Sequence, residues 1–145
     1  MLLSAFSFAV PASGQDDNVT VVIDENFDSF TEGSEDAPAT TDIGGYSGKL
    51  KKLGWSSSCT KVYEAGGKLK VAGSGILETD YLKKAVSTQV LKITARVRAA
   101  ADYGEAITFA VGYSFSKQVV FNDNKWHEVT VYAGSVSAYS KLKIT

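Results

Sequence analysis

The chain has 145 residues, 44% of them hydrophobic and 21% charged, which suits one soluble globular domain with a single core. Fifteen lysines and arginines against sixteen aspartates and glutamates give a net charge of −1, so a nucleic-acid partner is not expected. A single cysteine, Cys59, excludes an internal disulfide framework and a cysteine-rich zinc site.

Residues 1–14, MLLSAFSFAVPASG, set an apolar run from Leu2 to Val10 ahead of the small residues Ala12, Ser13 and Gly14. That order is expected of a secretory signal peptide, although no base follows Met1, and the run is too short to span a bilayer as a helix. The competing expectation is an N-terminal core strand. An exported domain, secreted or at the cell surface, is then expected over residues 19–145.

Val19 to Asp24 (VTVVID) is rich in β-branched residues and reads as a strand. Asp24, Glu25 and Asp28 crowd its end, and calcium, which takes roughly six to eight oxygens, is the metal such a cluster suits. Ser29 to Gly45 lacks periodicity and reads as a long surface loop. Every acid up to Asp42 precedes the first base, Lys49, and beyond it bases outnumber acids. The expectation is a solvated acidic approach to a sheet with a lysine-rich wet face.

Trp55 is expected to plug one end of the core, and the serines after it to form a turn. Lys61 to Glu64 and Lys68 to Ala72, joined by Ala65-Gly66-Gly67, read as a hairpin with Leu69 and Val71 inward. Ile76 to Thr79 continues the sheet. Asp80 to Thr88, the stretch with most helical character, is expected to be a loop crossing between sheets.

Val90 to Ala99 is the clearest strand. Leu91, Ile93, Ala95, Val97 and Ala99 fall on one side, and Lys92, Thr94, Arg96 and Arg98 on the other. A sheet wet on one face must bury the other against a second layer. Glu105 to Tyr113 alternates in the same way, with Ile107, Phe109 and Val111 inward. Lys117 to Phe121 follows, then the turn Asn122-Asp123-Asn124, then Trp126 to Ala133 with Val129 and Val131 inward. Leu142 and Ile144 close the series. Strands at intervals of about ten residues imply an all-β antiparallel β-sandwich.

The spacing suggests no catalytic apparatus. His127, the only histidine, shares parity with Val129 and reads as a half-buried, hydrogen-bonded imidazole rather than the partner of Cys59. Glycoside hydrolysis would draw a carboxylate pair from Glu64, Glu78, Asp102, Glu105 and Glu128. Glu105 and Glu128 are placed to meet on a wet face, as scattered acids do in any sandwich. Sugar binding needs flat aromatic faces with polar groups at the rim. By parity Trp126, Glu128, Thr130 and Tyr132 leave the face opposite Val129. If their strand neighbours the one carrying Arg96 and Arg98, all form one platform.

Gly54-Trp55, the run Lys61-Val62-Tyr63-Glu64-Ala65-Gly66-Gly67-Lys68-Leu69, and Asn124-Lys125-Trp126-His127-Glu128-Val129-Thr130-Val131 resemble jelly-roll, carbohydrate-binding-module-like domains of exported Bacteroidetes surface proteins. The resemblance covers most of the chain after about Val21. It implies a non-catalytic jelly roll beside a larger surface protein or glycan-degrading enzyme, with a polysaccharide or glycoprotein glycan as partner. It also implies a structural calcium where the first and last strands meet, for which Asp24, Glu25 and Asp28 are the candidates. Such domains close with an Ile-Asp-Asp-like strand, whereas this sequence ends Lys143-Ile144-Thr145, so a missing last strand or a different closure is expected. Trp126-His127-Glu128-Val129 is also similar to laminin-G-like sandwiches, which implies instead a protein-interaction or spacer module without a small ligand.

Overall fold

The computed structural model describes residues 2–11, 19–45, 48–58, 60–73, 75–85, 88–99 and 105–145. Within these the period-two segments become strands: β1 (Leu2–Pro11), β2 (Val19–Glu25), β3 (Trp55–Ser58), β4 (Lys61–Glu64), β5 (Leu69–Ala72) and β6 (Ile76–Thr79). After them come β7 (Leu91–Arg98), β8 (Glu105–Val111), β9 (Phe115–Phe121), β10 (Trp126–Ala133) and β11 (Leu142–Ile144), with one helical turn, α1 (Lys49–Lys52), before β3. No helix among the described residues is long and apolar enough to cross a membrane.

Two antiparallel sheets form the sandwich. The first runs β10-β7-β1-β5-β4, with β2 also on β1, and the second runs β3-β6-β11-β8-β9. Their inner faces supply one core. Ile93, Val97 and Phe109 are wholly buried, and Val131 nearly so. Complete burial of each such side chain contributes about 1.5–3 kcal/mol. Trp55 is wholly buried with its ring edge-on to Phe27 at 5.9 Å, and so plugs the core as expected. The β4–β5 hairpin pairs Lys61 with Ala72 and Glu64 with Leu69. The loop after β6 crosses from the second sheet to the first, held by buried Leu82 and Ala85.

Four local features differ from the sequence reading. Ser56 to Ser58 are not a turn: they extend β3, because pairing with Glu78, Leu77 and Ile76 of β6 supplies what serine propensity does not. A helical turn forms at Lys49–Lys52, a stretch the sequence reading left unassigned, since Leu50 inserts into the core there. Residues 29–45 are pinned by Phe30 and Ile43, both buried, rather than lying wholly at the surface. Their acids are not all solvated either. Glu32 pairs with Lys49 at 2.8 Å, and Glu35 pairs with Lys68 at 3.1 Å and Arg98 at 2.9 Å.

The leader-like run forms β1, which lies inside the first sheet. One side pairs with β7 from Leu2↔Arg98 to Ala9↔Lys92. On its other side Leu2 and Leu3 meet β5, and Phe6 to Pro11 meet β2. The small residues Ala12, Ser13 and Gly14 lie outside the described residues.

Candidate functional site

The wet face of the first sheet holds the residues singled out for sugar binding. β7 and β10 are neighbours, in a register that sets Trp126 opposite Arg98, Glu128 opposite Arg96 and Tyr132 opposite Lys92. Alternation on both strands sends Val129, Val131, Ile93 and Val97 into the core and these residues outward. All six therefore share one surface. Trp126 and Tyr132 are six positions apart, which in an extended strand is about 20 Å.

The two ends of this strip differ. At one end the indole of Trp126 is half-buried, with the Arg96 guanidinium 5.4 Å and the Arg98 guanidinium 6.0 Å from its ring centre. Its Nε1–H donates to Glu35 Oε2 at 3.3 Å, and Arg98 Nη1 donates to the same oxygen at 2.9 Å. Burial acts to raise the Glu35 carboxyl, but hydrogen bonds from Lys68 and Trp126 and the charges of Lys68 and Arg98 outweigh it, so the group sits below its ordinary value. At the other end Tyr132 is 60% exposed. Between them Glu128, Thr130, Lys92 and Arg96 stand in solvent, and among the described residues no carboxylate lies within ion-pair distance of Lys92 or Arg96.

Glu35 was not legible in the sequence. It belongs to the loop before α1, far along the chain from β7 and β10, and its neighbouring acids mark it only as part of an acidic run. The loop brings it to the sheet through its anchor residues Phe30 and Ile43.

Glu105 and Glu128 do not meet on one face. Glu105 starts β8 in the second sheet and shares the inward parity of Ile107, whereas Glu128 points outward from β10 in the first sheet. Glu64 is buried, with Oε1 accepting from Lys49 Nζ at 2.6 Å and Oε2 from the Glu32 backbone N–H at 3.1 Å. Glu78 is paired with Lys141 and Lys143. Asp102 and Cys59 lie outside the described residues.

His127 is half-buried at the start of β10, its ring 5.3 Å from that of Phe121. Its Nε2 donates to Asp123 Oδ1 at 2.6 Å. That bond, with a second from the Lys125 backbone N–H, lowers the Asp123 carboxyl.

At the end of β2, Glu25 Oε1 accepts from the Phe27 N–H at 2.8 Å, and Asp28 Oδ2 accepts from Asn26 Nδ2 at 2.7 Å. These bonds fold the turn that points Phe27 into the core. Asp24 is exposed, and no group of three or more potential metal ligands converges among the described residues.

Comparison with protein-family models, with curated proteins and with solved structures found no match to this chain.

Proposed function

We propose that the chain is a non-catalytic, exported β-sandwich module that binds carbohydrate along the wet face of its first sheet. The reading rests on one observation: the β7–β10 register lines up Trp126, Glu128 and Tyr132 with Arg98, Arg96 and Lys92. An exposed tyrosine offers a face for the C–H side of a pyranose, and the row of arginine, lysine, glutamate and threonine meets its hydroxyls. A strip about 20 Å long suits an extended polysaccharide better than a single sugar. Such a module serves as an accessory domain of a surface protein.

Affinity electrophoresis of the full chain through gels containing β-glucan, xylan, mannan or pectin tests this. Retardation by at least one polysaccharide is expected, weakened by Tyr132→Ala and by Trp126→Ala. Equal retardation of wild type and both variants, or none in any gel, would overturn it.

A protein-interaction module is the second reading. It is favoured by the guanidiniums packed on Trp126, since tryptophan, tyrosine and arginine dominate protein-binding hot spots. Under that reading Arg96→Ala weakens capture of a protein while no polysaccharide gel retards the chain.

A further inference from the structure

Away from the first sheet's wet face, three tyrosines from three separate connections surround one groove. Tyr81 follows β6, Tyr113 sits at the tip of the β8–β9 turn, and Tyr139 lies between β10 and β11. The groove has a volume of about 690 Å³, within the ~300–1,000 Å³ usual for small-molecule sites. Tyr113 is fully exposed and Tyr139 is 84% exposed. Neither ring contributes to the core, so folding gives no reason to place both there. A cluster of large exposed aromatics marks a recognition surface.

The frame carrying these rings is well tied. The Gly112 N–H donates to the Lys141 carbonyl at 3.1 Å, and the Leu82 N–H donates to the Ser140 carbonyl at 2.9 Å. The turn and both loops are thus cross-linked by backbone bonds. Leu82 and Val136, both buried, anchor the loops from beneath. Gly112 is at φ +56°, and a Cβ there would lie 3.0 Å from Ser140 Oγ. Ser135, on the same rim, holds φ +58°, a conformation that costs a non-glycine residue energy and that clusters at ligand sites. The backbone that presents these rings is therefore set before a ligand arrives.

The lining chemistry selects the ligand. Ser114, Ser135, Ser137 and Ser140 supply hydroxyls. Glu78 holds Lys141 at 2.7 Å and Lys143 at 3.6 Å, and the Lys141 ammonium covers one face of Tyr81 at 5.3 Å from its ring centre. Glu78 offsets one of the two lysines, and the net of +1 that remains is too small to hold a long polyanion by charge alone. Outside the tyrosine rings the wall is polar, which disfavours an apolar peptide side chain. What remains is a ligand with apolar C–H faces and many hydroxyls. We infer that the groove between Tyr81, Tyr113 and Tyr139 is a second saccharide-binding site, which takes a short oligosaccharide stacked on the Tyr113 and Tyr139 rings. The inference shares its ligand class with the proposed function, but uses residues from the other sheet and its loops.

Calorimetric titration of the full chain with oligosaccharides cut from β-glucan, xylan, mannan and pectin separates the two sites. Tyr113→Ala and Tyr139→Ala are expected to weaken binding of at least one by about tenfold each. Because both side chains are exposed, the melting temperature should stay unchanged, while Trp126→Ala and Tyr132→Ala leave this binding intact. Loss in the Trp126 and Tyr132 variants alone would overturn the groove and leave the sheet-face reading standing. Loss in the Tyr113 and Tyr139 variants alone supports the groove, and the sheet face then stands or falls by its own polysaccharide gels. A response to a deglycosylated protein with none to any saccharide would mark a protein-recognition surface and overturn the inference.

Discussion

Glu35 joins three parts of the molecule: the loop before α1, Arg98 of β7 and Trp126 of β10. Its carboxyl lies below the ordinary value of 4.5, so its contribution to stability is present above that value and is lost as pH falls through the lowered one. Trp55, the other tryptophan, is wholly buried, so the solvent-sensitive part of the indole emission comes from half-buried Trp126. Acidification below pH 4.5 should shift Trp126 emission, and Glu35→Gln should remove that transition while leaving emission at pH 7 close to its acid limit. An unchanged acid transition in Glu35→Gln would refute the linkage. Glu64 is the buried counterpart. Replacing it with leucine removes the acceptor for Lys49 and for the Glu32 N–H, and should cost about 1–3 kcal/mol in urea unfolding. A loss under half of that would show the network to be dispensable.

At the scale of elements, legibility followed periodicity. β7, β8 and β10 were readable because each alternates strictly, with one face buried. Their depth in the core makes Phe109→Ala, in β8, an expected loss of about 3–5 kcal/mol. β3 was unreadable because its serines are held by a neighbouring strand rather than by their own preference. β1 poses the sharpest case, since one composition suits both a signal peptide and a strand hydrogen-bonded on two sides. A chain made of residues 19–145 leaves the facing edges of β7 and β2 open, and open edges pair with other chains. It should unfold at lower urea than residues 1–145 and associate with rising concentration. Equal midpoints and a monomer at all concentrations would show that β1 is not needed.

Over the whole molecule, the charge segregation along the sequence is partly bridged on folding. The early acids Glu32 and Glu35 reach the later bases Lys49, Lys68 and Arg98, which the linear order conceals. The sheet-face platform was legible as a list of residues, because parity assigns faces, and its assembly needed only that β7 and β10 pair. The tyrosine groove was not legible, because loops carry no period and three of them must converge. Carbohydrate binding on the first sheet is tested most directly by following Trp126 emission while β-glucan, xylan, mannan or pectin is titrated into the full chain at pH 7. Binding at this face predicts a saturable shift for at least one polysaccharide, abolished by Trp126→Phe and weakened by Tyr132→Ala. A signal that stays flat with every polysaccharide, or one that persists in Trp126→Phe, would contradict it.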